Sequence, residues 1–571
     1  MAFPDIERLY IPLDKVKTLL LICLLLAAVF IAFLPSLKNG FVNYDDNEFI
    51  TNNPRINCVS FKSIRNILTS TSVANVYQPV VMLAFLTEYY FFKLNPFGYH
   101  LVSVAVHLAN CLLVLWFIYL LSGRLSVSLL AALLFGLHPM RVESVAWATE
   151  QKDVLYAFFF IASLISYVYY LRNNKPLRYL CICFFLFFLS IFSKPLAVTL
   201  PLVLILIDYL LNRKNSIAMI MDKTPFFLLS VLFGLCEYHA VNSAGAIHVN
   251  FASSNILNRL DAAGGLILFY LKNMFFGKNL VSVYLYTCKT TILNISTFVF
   301  MIAAIISLLL TGRSKNVVFC ALFFLVTLLP VLKFVSGASV MAADRFTYLP
   351  FMGICYGIGG VFDWLWARGS GVKAFRTFFF AVLAVVISFF VISTWKRCEV
   401  WRDSISLWSD VLRSYPNDAI ACNNRAVAYL NKGDFDLAIA DCDKAIRLKP
   451  REYSCYLCRG DAYCSKGNDE AAIRDYKKAA AIQPRYSHYP DYVVGNRYMK
   501  KGKYDQAISS YTRVIQIVPD YGEAYNNRAV AYFFNKQYDE SWKDVRKSRE
   551  LGCGLDPNFV EGLKKASRRE K

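Results

Sequence analysis

Between Leu19 and Thr394 one apolar run follows another, separated by short polar loops; after Trp395 the runs stop and the chain turns polar and rich in tyrosine. About twenty apolar residues suffice to cross the hydrocarbon of a bilayer as a helix. Within lipid every backbone group must be hydrogen-bonded internally, which leaves helices or closed barrels as the only spanning structures. Runs of this length predict an all-α chain, with a polytopic membrane body at 1–394 and a tail of different design. The bulk numbers agree: 57% of the 571 residues are hydrophobic and mean hydropathy is +0.42, above what soluble domains carry.

The apolar runs read as about eleven spans, at roughly 18–36, 98–121, 125–138, 154–171, 178–193, 195–211, 225–243, 294–311, 317–335, 347–367 and 376–394. The run 259–276 is also apolar, but Arg259, Asp261, Gly264, Gly265 and Lys272 interrupt it. Counting it as a span would invert every later loop. We place it in the interface and the N-terminus in the cytoplasm. Fifteen cations then fall in short cytoplasmic loops: Arg8, Lys15, Lys17, Arg124, Arg172, Lys175, Arg178, Arg213, Lys214, Lys223, Arg313, Lys315, Arg368, Lys373 and Arg376. Short cytoplasmic loops are where basic residues accumulate. The segments 37–97, 138–153, 244–293 and 336–346, Lys194 and the whole tail fall on the other face. The run Leu19–Leu34 reads as a retained span, since no small-x-small cleavage site follows it.

The net charge of +21 does not indicate a nucleic-acid partner. From Trp395 onward 32 Lys and Arg face 24 Asp and Glu with signs alternating along helix faces, and the remaining excess sits in loops where topology accounts for it. Of the sixteen cysteines, nine lie in the membrane body, where Cys acts as a small hydrophobe. The seven from Cys398 to Cys553 lack zinc spacing, and Cys455 and Cys458 form a CxxC interval without a second pair.

After Asp418 the chain repeats itself every 34 residues. Units begin at Ala419, Tyr453, His488 and Gly522, with one residue inserted before the third. The eighth position is small (Ala426, Gly460, Gly495, Ala529) and the eleventh is Tyr (Tyr429, Tyr463, Tyr498, Tyr532). The first three units end in Pro450, Pro484 and Pro519. Small residues let paired helices approach, and proline stops the second helix. This pattern resembles the tetratricopeptide repeat. We read 395–418 as a connecting half-repeat carrying Trp408, Val411 and Pro416, 419–555 as four repeats, and 556–571 as a C-terminal tail. Such a solenoid binds extended peptides or protein partners on its concave face, to which we assign Asn423, Asn424, Asn526 and Asn527; the plain alternative is an assembly surface.

Candidate chemistry lies in the outer segments. Asp45 and Asp46 follow the first span directly; adjacent carboxylates near lipid are costly without a use, and one can deprotonate a hydroxyl while the other positions it. His138 and Glu143 open the second outer loop and could hold a sugar hydroxyl or a phosphate. Lys194 and Arg345 are cations at the membrane surface, suited to a phosphate on a lipid carrier. The same residues have plain structural readings: a solvated turn for the acids, a helix cap for His138, snorkelling for Lys194, and an ion pair with Asp344 for Arg345.

Taken in order, Tyr44-Asp45-Asp46, Gln78-Pro79, Leu94 to His100, Leu137-His138-Pro139 with Glu143 and Val145-Ala146-Trp147, Ser193-Lys194, Asp344-Arg345 with Tyr348-Leu349-Pro350, and the trailing repeats resemble the transmembrane-and-tetratricopeptide-repeat proteins. More loosely, the chain is similar to protein O-mannosyltransferases and other membrane glycosyltransferases of the GT-C fold. The resemblance implies an eleven-helix GT-C body, a polyprenyl-phosphate-linked sugar donor, and transfer of a mannose-like sugar to a protein Ser/Thr hydroxyl on the non-cytoplasmic side. By position it implies Asp45 as general base with Asp46 supporting it, and His138, Glu143, Lys194 and Arg345 around the donor. No cofactor is assigned, although the carboxylate pair leaves a divalent cation open. Only four full repeats point to a bacterial relative, in an inner membrane with periplasmic repeats; the alternative is the endoplasmic reticulum with lumenal repeats. The rival functions are a non-catalytic scaffold for envelope proteins and a transporter. The second fits poorly, because Glu88, Asp208 and Glu237 sit near predicted span ends.

Overall fold

The computed structural model describes residues 15–69, 77–173, 176–213, 217–243, 256–277, 280–284, 315–332, 342–369 and 371–568, with 296, 299, 302, 303, 306 and 307. Among the described residues there are helices and no strands. The chain separates into two compact units, Met1–Ser414 and Tyr415–Lys571.

In the first unit Lys15–Lys38, Pro96–Ser122, Ala148–Arg172, Ile217–Cys236 and Lys373–Val400 are long and apolar enough to cross a bilayer. A bent pair, Leu125–Leu137 with Pro139–Ala146, makes a sixth candidate if it counts as one broken span. Pro79–Phe92, Leu177–Ile191, Pro195–Leu210 and Lys315–Val331 are apolar but shorter. This is a multi-pass membrane body, and among the described residues five or six spans qualify by length and composition. The expected eleven included short runs that proline interrupts, and 294–311, most of which lies outside the described residues. The interrupted run 259–276 lies within a helix, Ile256–Phe276, whose Ala263, Leu266, Ile267 and Tyr270 are buried; it is not among the candidate spans.

Proline breaks position the functional segments. Pro139 lacks the N–H that would continue the helix Leu125–Leu137, and the chain bends by 58° there. The carbonyl of Leu137, freed by the break, accepts from Thr394 Oγ1 at 2.7 Å, as backbone at membrane depth requires. A second break at Ser193-Lys194-Pro195 leaves Lys194 extended (φ −155°) between two apolar helices. Past the last long helix, Ser404–Ser414 turns back onto the loop after the first long helix: Asn43 N–H donates to Ser404 Oγ at 2.9 Å and Trp408 Nε1 to Asn43 Oδ1 at 2.7 Å. The segment read as a half-repeat thus packs on the membrane unit through Trp408.

The second unit is a row of antiparallel helix pairs: Ala419–Lys432 with Phe435–Leu448, Tyr453–Lys466 with Asp469–Ile482, Tyr489–Lys500 with Tyr504–Ile517, and Gly522–Phe534 with Tyr538–Glu550, followed by Pro557–Ser567. Arg425, Arg459 and Arg528, each at the seventh position, make two-pronged bonds of 2.7–2.9 Å to Asp441, Asp475 and Asp544 at the twenty-third. The third repeat has Val494 and Ser510 instead. The eighth position answers the twenty-fourth. Where the latter is Cys442 or Val545 the former is alanine; where it is Tyr476 or Tyr511 it is glycine. A methyl on Gly460 would lie 2.6 Å from the Tyr476 ring, and one on Gly495 2.7 Å from Tyr511. Gly460→Ala is therefore expected to destabilise the repeats by about 1–3 kcal/mol, the usual range for overpacking, read as a lower denaturant midpoint. An unchanged midpoint would show that the ring yields freely.

Candidate active site

The two acids of the loop after the first long helix have opposite environments. Asp46 is fully buried. Its carboxylate accepts from Val42 N–H (2.8 Å), Trp147 Nε1 (2.9 Å), Thr149 N–H (3.1 Å) and the Thr149 hydroxyl. Burial pushes its pKa up to about 6, against the pull of those four donors. Asp46 thus ties the first loop to the second. Asp45 is half-buried, and its carboxylate has no hydrogen bond or ion pair among the described residues. Only its carbonyl is engaged, accepting from Glu48 N–H and Phe49 N–H at 3.1 Å and so starting the next helical turn. Burial raises the Asp45 pKa above the usual carboxylate value; Lys152 opposes this, Glu150 adds to it, and Arg345 opposes it.

Beside Asp45 runs a buried chain of charges. Arg345, in the turn Asp344–Thr347, pairs through its guanidinium with Glu143 and at 3.3 Å with Glu150, while its backbone N–H donates to Glu143 at 3.0 Å. Glu150 also meets Lys152 at 3.0 Å and Lys194 at 3.4 Å. Lys194 is paired with Asp153, whose other oxygen accepts from Ser144 Oγ at 3.0 Å. Burial alone would discharge Arg345 and Lys194; Glu143 and Glu150 hold the first, and Asp153 and Glu150 the second, above their ordinary values. Three cations thus share a pocket with Glu143, Glu150 and Asp153. Arg345 uses Nη1 and Nε in these pairs, leaving Nη2 without a protein partner among the described residues.

Aromatic rings wall the site. Trp147 stacks on Tyr44 (4.9 Å, 18°) and on Trp401 (5.1 Å, 17°), and the Arg345 guanidinium lies 5.5 Å from its ring centre. Burial pushes the Tyr44 phenol up to about 12, so it stays a neutral hydroxyl. Fully buried Arg141 staples the Asp344–Thr347 turn, donating to Thr347 O at 2.9 Å and Thr347 Oγ1 at 2.5 Å.

The fold thus gathers Asp45, Asp46, Glu143, Lys194 and Arg345 from segments far apart in sequence, and it leaves His138 out. That histidine is buried between Phe351 and Phe390, 4.7 and 4.8 Å away. Its Nδ1 accepts from Met140 N–H at 3.3 Å, so Nε2 carries the proton and donates to Met274 O at 2.9 Å. Both nitrogens are used, and the expected sugar or phosphate contact is replaced by a helix cap at the Pro139 break. Lys194 does not snorkel, because it has two buried carboxylates to pair with. Arg345 pairs with Glu143 and Glu150 instead of Asp344, which accepts from Tyr284 OH at 2.8 Å. Sequence reasoning passed over Glu150, Lys152 and Asp153 as site residues. Their signal was present: three charges at the very start of an apolar helix.

In the repeats, Asn527 lines a cavity of about 670 Å³ on the face made by the first helices of the pairs, while Asn423, Asn424 and Asn526 are not among its lining residues. No group of three or more His, Cys, Asp or Glu among the described residues is arranged to hold a metal ion.

Fold and site together define a helical, multi-pass membrane protein with a buried charged cluster and tetratricopeptide repeats. Family models for the tetratricopeptide repeat match residues 419–452 and, as a TPR repeat, 495–535. The chain is 22% identical over 420 residues to the human protein O-mannosyl-transferase TMTC3, covering 67% of this chain and 45% of that one. It is 24% identical over 423 residues to the protein O-mannosyl-transferase F38B6.6 of Caenorhabditis elegans, covering 69% and 58%. The chain spans about half the length of such relatives. Among solved structures, MamA matches at 27% identity over 26% of this chain and 86% of that one, with a TM-score of 0.23. TTC0263 of Thermus thermophilus, a TPR protein, matches at 20% identity over 33% and 97%, with a TM-score of 0.25. The resemblance to the transmembrane-and-tetratricopeptide-repeat O-mannosyltransferases therefore covers two thirds of the chain.

Proposed function

We propose that this chain is a membrane glycosyltransferase that moves a mannose-like sugar from a polyprenyl-phosphate carrier to a Ser/Thr hydroxyl of a polypeptide, on the non-cytoplasmic face. The observation that carries this reading is Asp45, an unpaired carboxylate with a raised pKa beside a cluster of cations. A structural acid in such a place is expected to be paired, as Asp46 is.

In the proposed step the acceptor oxygen attacks the anomeric carbon and Asp45 takes its proton. The bond from that carbon to the phosphate oxygen breaks, and the phosphate leaves with the electron pair. Its charge is met by Arg345, through the open Nη2, and by Lys152. Glu143 and Glu150 hold Arg345 in place. Lys194 acts through Glu150 and Asp153, not on the phosphate. The repeats hold the acceptor polypeptide. A scaffold that merely recruits proteins would use the repeats but has no need of an unpaired Asp45. Purified protein incubated with polyprenyl-phosphomannose and Ser/Thr peptides should yield peptides heavier by one hexose. No mass shift with any polyprenyl-phospho-sugar would leave the scaffold reading.

The pH dependence follows from the direction of the Asp45 shift. The base form accumulates only above a raised pKa, so the acid limb of kcat/KM should lie above the ordinary carboxylate range. Lys152 lowers that pKa; Lys152→Met should therefore move the limb upward, by about half to one pH unit. A limb that stays put or moves down would remove Asp45 as the titrating base.

A further inference from the structure

The cavity in the repeats lies where their regular spacing is interrupted by the extra residue before the third unit. Its polar chemistry departs from the repeat pattern at two facing positions. The ninth residue of a unit is Val427 in the first repeat and Val530 in the fourth, but Asp461 in the second and Asn496 in the third. The twenty-fourth, which faces it, changes in step: Cys442 and Val545 outside, Tyr476 and Tyr511 inside. Tyr476 OH donates to Asp461 Oδ1 at 2.8 Å, and Tyr511 OH to Asn496 Oδ1 at 2.6 Å. The outer repeats show that the fold is satisfied by apolar residues here, so stacking the helices does not require the acid.

Asp461 makes no ion pair among the described residues. Its carboxylate accepts from Tyr476 OH, and burial raises its pKa. Four tyrosines form a continuous wall beside it: Tyr476 to Tyr489 at 5.4 Å, Tyr489 to Tyr492 at 6.5 Å, and Tyr492 to Tyr511 at 6.1 Å. Tyr476 and Tyr511 are buried and form the floor, while Tyr489 and Tyr492 are half-exposed. Two cations also line the cavity. Arg497 is turned to Asp469 (2.8 Å) and to Gly467 O (3.3 Å), and Lys500 is exposed at the rim. A carboxylate without a cation, set among aromatic rings, is the arrangement that receives an ammonium or guanidinium group.

We infer that this cavity is a specificity pocket that takes a Lys or Arg side chain of an extended polypeptide lying along the repeats. The inference rests on the reading of the repeats as the unit that holds the acceptor polypeptide. It adds that acceptors are selected by a basic residue.

The test uses the full chain in detergent and labelled Ser/Thr peptides that differ at one central residue, Arg, Gln or Glu, with binding read by fluorescence anisotropy. The Arg peptide should bind about tenfold more tightly than the Gln peptide, the scale of one desolvated cation–aromatic contact. Asp461→Asn, which keeps an acceptor for Tyr476 OH, should abolish that preference while leaving Gln-peptide binding and the unfolding midpoint unchanged. Equal binding of Arg and Gln peptides, or tighter binding of the Glu peptide through Lys500, would overturn the pocket but not the acceptor-holding role. Failure of every peptide to bind would overturn both. An Arg preference without hexose transfer would keep the pocket and remove the transferase reading.

Discussion

Asp45→Asn is expected to lower hexose transfer by about 10²–10⁴-fold, the range for loss of a general base, while leaving thermal unfolding unchanged. The carboxylate has no protein partner among the described residues to lose, so the variant removes a proton acceptor and little else. Its neighbour should behave in the opposite way. Asp46→Ala would leave Val42 N–H, the Trp147 indole N–H, and the Thr149 N–H and hydroxyl without their common acceptor in a buried site. Unmade buried bonds cost about 1–3 kcal/mol each, enough to unfold the two loops that Asp46 joins. Transfer would be lost in both variants, but only Asp46→Ala would lose its folded signal. Near-normal transfer by Asp45→Asn would end its assignment as base. A well-folded Asp46→Ala protein would show that the loop is held elsewhere.

Lys194→Met is expected to destabilise the membrane unit by about 3–5 kcal/mol, the typical result of removing one partner from a buried ion pair. Asp153, fully buried, would keep only Ser144 Oγ, and Glu150 would keep Lys152 and Arg345. The damage comes mostly from stranding Asp153, so the double variant Lys194→Met/Asp153→Leu should recover much of the loss. Unfolding midpoints in detergent give the comparison. A single variant as stable as the parent would mean that Lys194 pairs with nothing in the membrane, and that the network ends at Glu150.

Much of the architecture was legible because it depends on local periodicity. A 34-residue repeat with glycine opposite tyrosine and alanine opposite smaller residues constrains each helix pair by itself, and apolar runs bounded by Lys and Arg mark membrane helices without reference to partners. The candidate site was legible as residue types: Asp45, Asp46, Glu143, Lys194 and Arg345 stood out as charges beside lipid. Its pairing was not. Electrostatic partners are chosen by tertiary proximity, and Arg345 reaches Glu143 across 202 positions, whereas the adjacent Asp344 turns to Tyr284.

The apolar runs from Leu19 to Thr394 by themselves determined a multi-pass helical body, and the repeats after Asp418 a second helical unit, because lipid and helix stacking act on every residue of a segment alike. Only the tertiary structure decided which aspartate is free. Asp45 and Asp46 are chemically identical neighbours, and successive side chains on a turn point in different directions. One is carried into the donors of Trp147 and Thr149, and the other is left open beside Lys152 and Arg345. The same holds for His138, whose proline break turns it into the core. The direction of one side chain separates a base from a brace.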